Sequence, residues 1–359
     1  MRTPKRLLLW LHRYGGLTLG LFVLVSGVSG SVLVFGEEIE GASRPAVVHT
    51  SPDPIAAEKA LAGSRHIVGP GDPALYLRMA RNASAPAEIW LRSGTRILID
   101  GHRGQVVGIE RPAGTFIGFV RALHTELLLG DTGRPVLGAG GVMLCVIAAT
   151  GLWLWWPGFG RLRHAIRLRA PHRWRVLLLD LHRLVGVFGL VFILIAGLTG
   201  IALAYHETFE AALHQLAGSK PRPLAPRSSP PTIENAATPL GAVASRAQAI
   251  VPDAKITWIY LPQTALSPIV VRMRSPEDPH RSGRNYLYFD RYTGDLLRVD
   301  RWTEAPLGTA LYSLIYPIHT GDIGGIATRL LALIAGLAVV FLFASGVATW
   351  LARRRHRRP

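Results

Sequence analysis

Histidine, able to hold a metal and to carry a proton, is plentiful in this chain: thirteen are present against a single cysteine, Cys145. Four recur in two matched contexts. His12 stands in Leu11-His12-Arg13, and His182 stands in Leu181-His182-Arg183, 170 residues later. His124 opens His124-Thr125, and His319 opens His319-Thr320, at an offset of 195. The first pair begins two long apolar runs, and the second lies just outside two others at the opposite end. Two imidazoles facing each other at one depth are the axial ligand set of a b-type haem, whose iron takes one nitrogen on each side of a planar ring. The spacing therefore predicts two b-type haems, one held by His12 and His182, the other by His124 and His319. No CxxCH attachment motif is present. Arg13 and Arg183 follow the first pair directly and suit pairing with haem propionates. Gly15, Gly16 and Gly186 lie within a turn, where missing side chains leave room for a flat macrocycle. A lone histidine near a helix end is more commonly an interfacial side chain. His164, His172, His206 and His214 have no matched counterpart and are read that way, with His206 the best substitute ligand. No paired carboxylates or nucleophile motif points to hydrolysis.

These histidines need helices to carry them. Apolar residues make up 49% of the 359 and charged ones only 18%, because four windows are apolar for the roughly 20 residues that cross a hydrocarbon core. They run about Leu17 to Phe35, Pro135 to Trp156, Val176 to Tyr205 and Ile326 to Leu351. Glu37, Glu38 and Glu40 follow the first without a small-residue cleavage site, so it reads as an uncleaved helix. The stretch from His12 to Leu33 spans about 32 Å as helix, which would put the two haems near opposite faces and make an electron path between them. The net charge of +17 is local. Residues 37–122 carry 10 basic and 9 acidic groups and residues 206–325 carry 12 and 11, whereas segments 2–13, 161–183 and 353–358 hold 16 Arg or Lys against Asp180 alone. Short basic segments stay in the cytoplasm and long neutral loops translocate, so both termini are expected inside. The basicity reports topology and no nucleic-acid partner, and the basic tail could touch anionic membrane lipid. Cys145 falls within the second window, so no intramolecular disulfide supports the loops.

The matched histidines belong to a wider repeat. At offset 170, Gly16 falls on Gly186, Gly30 on Gly200, Glu37 on Glu207 and Glu40 on Glu210; at offset 195, Arg134 falls on Arg329, Gly151 on Gly346 and Trp155 on Trp350. The fold class expected is a membrane α-helical protein with four transmembrane helices in a tandem, parallel two-helix repeat, plus α+β domains outside the membrane. The boundaries are 1–36 (N-terminus and first helix), 37–122 (first outer domain), 123–157 (second helix), 158–175 (basic loop), 176–205 (third helix), 206–318 (second outer domain) and 319–359 (fourth helix and tail). Residues 99–107 and 289–297 read as strand, Gly-containing turn, strand. Strands are expected over Glu88 to Leu91, Lys255 to Leu261 and Ile269 to Met273, and helices over Pro54 to Leu61 and Leu240 to Ile250. The Pro-rich linker Ser219 to Thr232 reads as extended and mobile, and Trp153, Trp155, Trp156, Trp174 and Trp350 as an interfacial belt. Span centres without charge argue against a solute transporter.

At these motifs the chain resembles the PepSY-associated transmembrane helix proteins, often called iron-regulated membrane proteins. The resemblance covers nearly the whole chain. It rests on the two Leu-His-Arg openings, on Leu123-His124-Thr125 with Gly151-Leu152-Trp153-Leu154-Trp155-Trp156-Pro157, on Ile318-His319-Thr320-Gly321, and on the Asp-x-x-x-Gly turns at Asp100 and Asp290. It departs at Trp350-Leu351-Ala352 and at His102-Arg103, away from the four histidines. The resemblance implies a bacterial inner-membrane protein with PepSY-like periplasmic domains, and a haem-dependent reductase of a ferric siderophore or similar chelate serving iron uptake. The electron donor would be separate, a quinol or a cytoplasmic reductase, since no flavin or nicotinamide domain follows the fourth helix. Arg272, Arg274, Arg281 and Arg284 form a basic stretch that could meet an anionic chelate. The alternative is a haem-free membrane regulator or adaptor that binds a protein partner or restrains a peptidase.

Overall fold

The computed structural model describes residues 4–45, 47, 58, 61, 71–82, 84–100, 103–168, 174–230 and 237–355. Most of the helix expected over 54–61, the Gly101-His102 part of the first turn, His172 and the tail beyond 355 lie outside them. The chain forms two compact units: residues 1–36, 120–209 and 315–359, and residues 37–119 and 210–314.

In the first unit, three helices are long and apolar enough to cross a membrane, over 130–155, 174–204 and 322–353. Their main helices are α5 (Gly133–Trp155), α6 (Trp174–Ala204) and α10 (Gly325–Arg355). A fourth span exists if α1 (Pro4–Thr18) and α2 (Gly20–Leu33), bent by 58°, count as one. The sequence reads this as one helix, apolar from Leu17 and counted from His12 to Leu33. The helix starts at Pro4 and bends at Leu19, next to Gly20, where the Phe343 ring fills the space a Cβ would need. Phe188, Val191, Leu198, Ile334 and Leu337 are exposed in mid-helix, an apolar surface suited to lipid. Glycine sets two close helix crossings. A Cβ on Gly27 of α2 would lie 3.1 Å from the Gly336 carbonyl of α10, and one on Gly197 of α6 would lie 2.9 Å from Cys145 Sγ and 3.6 Å from the Gly141 carbonyl of α5.

The second unit is built on one antiparallel sheet of eight strands: β1 (Ala74–Arg78), β2 (Ala87–Leu91), β3 (Arg96–Ile99), β4 (Val106–Glu110), β5 (Lys255–Tyr260), β6 (Ile269–Arg274), β7 (Asn285–Phe289) and β8 (Leu296–Asp300). The order is β4-β3-β2-β1-β5-β6-β7-β8, so residues 74–110 and residues 255–300 each supply a four-stranded meander and β1 joins β5 with Leu77 opposite Ile259. Alternation divides the faces. Leu77, Ile89, Leu91, Ile97, Ile99, Val271, Met273, Leu287 and Phe289 are buried with Leu240, Val243, Ala244 and Ala247 of α8 (Leu240–Ile250), a stripe at helical spacing. Tyr76, Arg78, Glu88, Trp90, Arg96, Trp258 and Arg272 take the other face. Charges buried there are paired: Arg44 donates to Glu88 (2.9 Å) and Glu110 (2.7 Å), Arg96 to Glu40 (2.5 Å), and Arg78 to Glu88 (3.3 Å). Burial alone would raise the Glu88 carboxyl, but Arg78, Arg44 and Arg96 outweigh it and hold it below the usual range.

Both Asp-x-x-x-Gly turns close the same way. The Gly104 N–H donates to the Asp100 carbonyl (2.8 Å) and the Gly294 N–H to the Asp290 carbonyl (3.0 Å), with φ of 68° and 70° at the glycines. Burial raises the Asp290 carboxyl, but the N–H groups of Ser229, Tyr292 and Thr293 that it accepts hold it below its ordinary value. The linker expected to be mobile is instead pinned over its described part. Ser229 caps Asp290, Arg298 donates to the Leu224 carbonyl (2.9 Å) and Arg222 to that of Arg301 (2.5 Å). Proline removes backbone donors, and Arg298 satisfies the Pro223 and Leu224 carbonyls of the linker.

Candidate functional site

The four matched histidines come together in two facing pairs, both within the first unit. The His12 and His182 rings lie 6.4 Å apart centre to centre and nearly perpendicular, at 84°; the His124 and His319 rings lie 6.2 Å apart at 40°. His12 and His182 project from α1 and α6. His124 and His319 occupy the last turns of two short helices, α4 (Phe116–Glu126) and α9 (Leu307–Thr320), which lead into α5 and α10. After α4 the chain turns through Leu127 and Leu128, both at positive φ (52° and 61°); after α9 it turns at Gly321, at 78°. Two leucines in that region are strained, which marks the turn after His124 as one the surrounding fold imposes.

Every ring rests in the same kind of cradle. His12 packs on Gly151 and its Nδ1 lies 3.2 Å from Thr150 Oγ1; His182 packs on Gly346, 2.7 Å from Ser345 Oγ. His124 packs on Gly30, 3.1 Å from Ser29 Oγ; His319 packs on Gly200, 2.9 Å from Thr199 Oγ1. The Ile147 carbonyl, four residues before Gly151, also accepts from the His12 ring at 3.1 Å. Among the described residues no hydrogen bond reaches Nε2 of any of the four. A metal bonded to an imidazole at about 2.0–2.1 Å on each side puts two ring centres about 6 Å apart, so both pairs fit one ion between them. No group of three or more His, Cys, Asp or Glu that could hold a metal occurs among the described residues.

A cavity of about 490 Å³ opens beside the first pair, within the range of cofactor sites. His12, His182, Gly16 and Gly186 line it, and Arg13, Arg183, Lys5 and Arg353 give it cationic groups. Arg183 also lies 3.6 Å from Asp180. Gly15 does not line the cavity; its missing Cβ faces Ile147. Trp155 and Trp350 are cavity walls, while Trp153, Trp156 and Trp174 are exposed as a membrane belt requires. The Ser/Thr-Gly cradles went unrecognised as a site in the sequence. Gly30, Gly151, Gly200 and Gly346 stood in the repeat, and a hydroxyl residue before each was the available signal.

The remaining candidates fall elsewhere. His206 is 56% exposed beside Glu207, with no facing imidazole. His214 is buried and bonded to Ser219 (2.9 Å) and Thr309 (3.1 Å), a structural role. In the basic stretch, Arg272 is buried, donating to the Gly283 carbonyl (2.8 Å) and to His280 Nδ1 (3.2 Å), and Arg281 pairs with Glu37 at 2.6 Å. Burial, reinforced by Arg284, Arg272, Arg281 and Arg274, drives the His280 imidazole down to about 2, so it stays neutral and accepts.

Residues 9–353 match the family model described as the PepSY-associated TM region. A Pseudomonas aeruginosa protein, itself uncharacterised, is 26% identical over 264 residues, which cover 65% of this chain and 62% of that relative.

Proposed function

The chain belongs to the PepSY-associated transmembrane family, a multi-pass membrane family, and on that premise we propose that it is a di-haem b electron-transfer protein reducing ferric chelates. His12 with His182 and His124 with His319 hold the two haems. Arg13 and Arg183 neutralise propionates at the first. The sheet unit lies in the periplasm of a bacterial inner membrane, with both chain termini cytoplasmic, and presents a ferric siderophore or similar chelate for reduction. When bound, the haems supply one-electron transfer; the protein orients the ligands, excludes water and carries the cationic groups. Fe(II) is less charged than Fe(III) and is held less tightly by hard oxygen donors, so reduction releases iron for uptake. A separate quinol or cytoplasmic reductase supplies the electrons.

The observation that carries this reading is the recurrence of one arrangement at four positions: an imidazole packed on glycine, Nδ1 engaged by the preceding hydroxyl residue, Nε2 left unbonded, and a second such ring about 6 Å away. A tandem duplication is supported by the same correspondence. Gly27 and Gly197, 170 apart, and Gly141 and Gly336, 195 apart, all sit at the two close crossings.

The test is the oxidised and dithionite-reduced visible spectrum of the detergent-purified protein, with a haemochrome count. About two b-haems per chain are expected. His124→Ala should remove one of them and ferric-chelate reduction with it, leaving the reduced bands of the His12–His182 site in place. A protein that neither contains nor takes up haem refutes the proposal and favours the partner-binding alternative.

A further inference from the structure

We infer that Ser29-Gly30, Thr150-Gly151, Thr199-Gly200 and Ser345-Gly346 are positioning residues that fix each imidazole as its Nδ1–H tautomer in a set plane. We infer also that the planes are set differently in the two pairs, which makes the two centres electronically unlike. The second statement rests on the di-haem reading; the first does not.

The tautomer follows from where the hydroxyl protons go. Thr150 Oγ1 donates to the Ile147 carbonyl (2.9 Å), Ser345 Oγ to Leu342 (3.1 Å), Ser29 Oγ to Val25 (2.6 Å) and Thr199 Oγ1 to Ile195 (2.5 Å). Each hydroxyl has spent its one proton on its own helix, so its oxygen can only accept from the ring. Nδ1 must therefore carry the hydrogen, and the lone pair lies on Nε2. A second-shell acceptor on a ligating histidine fixes its tautomer and orientation and raises its basicity. The glycine lets the ring lie against the helix: a Cβ would stand 2.9 Å from His12 Cε1 at Gly151 and 2.9 Å from His124 Cε1 at Gly30.

The plane follows from two contacts. A ring bonded at Nδ1 and stopped at Cε1 by glycine has no free rotation about its Cβ–Cγ bond. The two cradles of the first pair hold the rings at 84°, and those of the second hold them at 40°. Axial imidazole planes govern the splitting of the iron dπ orbitals. Perpendicular planes leave two of them nearly degenerate and give a low-spin ferric signal with one very large g value, whereas planes nearer parallel give a rhombic signal.

Electron paramagnetic resonance of the oxidised full-length protein tests this, together with Nδ1/Nε2 shifts of 15N-histidine in the haem-free protein. Two low-spin signals of different shape are expected, one with a large g value and one rhombic. Thr150→Val with Ser345→Ala should alter the first signal or loosen that haem 10–100-fold, leaving the second unmoved. Thr150→Ser with Ser345→Thr should restore it. Two signals of one shape overturn the inequivalence. A fully occupied Thr150→Val/Ser345→Ala protein with unchanged signals overturns the positioning role, as does loss of haem in the Ser/Thr-swapped variant too. A haem-free preparation bears on the di-haem reading; there the Nδ1–H tautomer at all four histidines still supports the cradles, and Nε2–H overturns them.

Discussion

Gly30→Ala and Gly200→Ala place the same methyl group at matched cradles, yet the structure separates their consequences. The new Cβ at position 30 would stand 2.9 Å from His124 Cε1, against 3.5 Å from His319 Cε1 at position 200. Carbon atoms rest at about 3.5–4.0 Å. His319 therefore keeps its place, while His124 must retreat by about 0.6 Å or more. The His124 Nδ1 bond to Ser29 is already 3.1 Å, so that retreat takes it past about 3.5 Å, where a hydrogen bond ceases to count. Ligand constellations tolerate about 0.5 Å of misplacement, and overpacking of this kind costs about 1–3 kcal/mol, or about 5–150-fold in haem affinity. Both alanines gain the same helix propensity, about 0.8–1.0 kcal/mol over glycine, so the difference between them isolates the ring. The assay is haem transfer to excess apomyoglobin from the detergent-purified variants, followed at the Soret band. Gly30→Ala should lose one haem at least five times faster than Gly200→Ala. Equal rates, or faster loss from Gly200→Ala, would refute the steric reasoning.

Two further predictions concern the sheet unit. Asp290→Ala strands the N–H groups of Ser229, Tyr292 and Thr293 and should destabilise the unit by about 2–4 kcal/mol in urea at pH 7. Because the folded carboxyl titrates below its unfolded value of about 3.9, its stabilisation is present above that value and lost as pH falls through the folded pKa. The penalty measured at pH 3 should therefore be smaller than at pH 7. Arg96→Met leaves Glu40 with its shortest ion-pair partner gone and should cost about 3–5 kcal/mol. Adding Glu40→Leu should recover much of that, read by denaturation with Trp90 fluorescence, since the Arg96 guanidinium lies 4.1 Å over the Trp90 ring.

The histidine pairs were legible in the sequence because two constant offsets match their members in type and depth. The cradles were not. A hydroxyl residue followed by glycine in an apolar helix is an ordinary helix-packing pattern, and nothing in spacing alone says that an imidazole from elsewhere lies on it. Gly15, Gly16 and Gly186 follow the histidines in sequence, yet the glycines that touch the rings lie on other helices. Strands β2, β5 and β6 followed from alternation, and Leu240 to Ile250 from helical spacing. β1 did not follow. Its pairing with β5 joins residues about 180 apart, and long-range pairing leaves no local signal. The break at Leu19 was hidden for a similar reason, since the ring that packs on Gly20 beside it, Phe343, comes from a remote helix.

The distance between facing rings is a property of helix crossings rather than of the histidines. His12 and its cradle both come from the first two spans, as do His124 and its cradle; His182, His319 and theirs come from the last two. Each ring is thus fixed within one stretch of chain, but every facing pair takes one ring from each. What brings the stretches together is α2 against α10 at Gly27 and Gly336, and α5 against α6 at Gly141 and Gly197. Ordinary side chains hold helix axes 8–10 Å apart; glycine at both sides of a crossing allows a closer approach. A bulkier residue at Gly336 meets the Gly27 carbonyl and the Ser31 hydroxyl together. The hydroxyl can rotate away, but the Gly27 carbonyl can yield only by moving the helix, and α2 carries the cradle of His124 at Ser29 and Gly30. Redox properties at the second pair should therefore respond to substitutions at a crossing that touches neither histidine, while conservative changes on the exposed apolar surface of the same helices leave them unchanged.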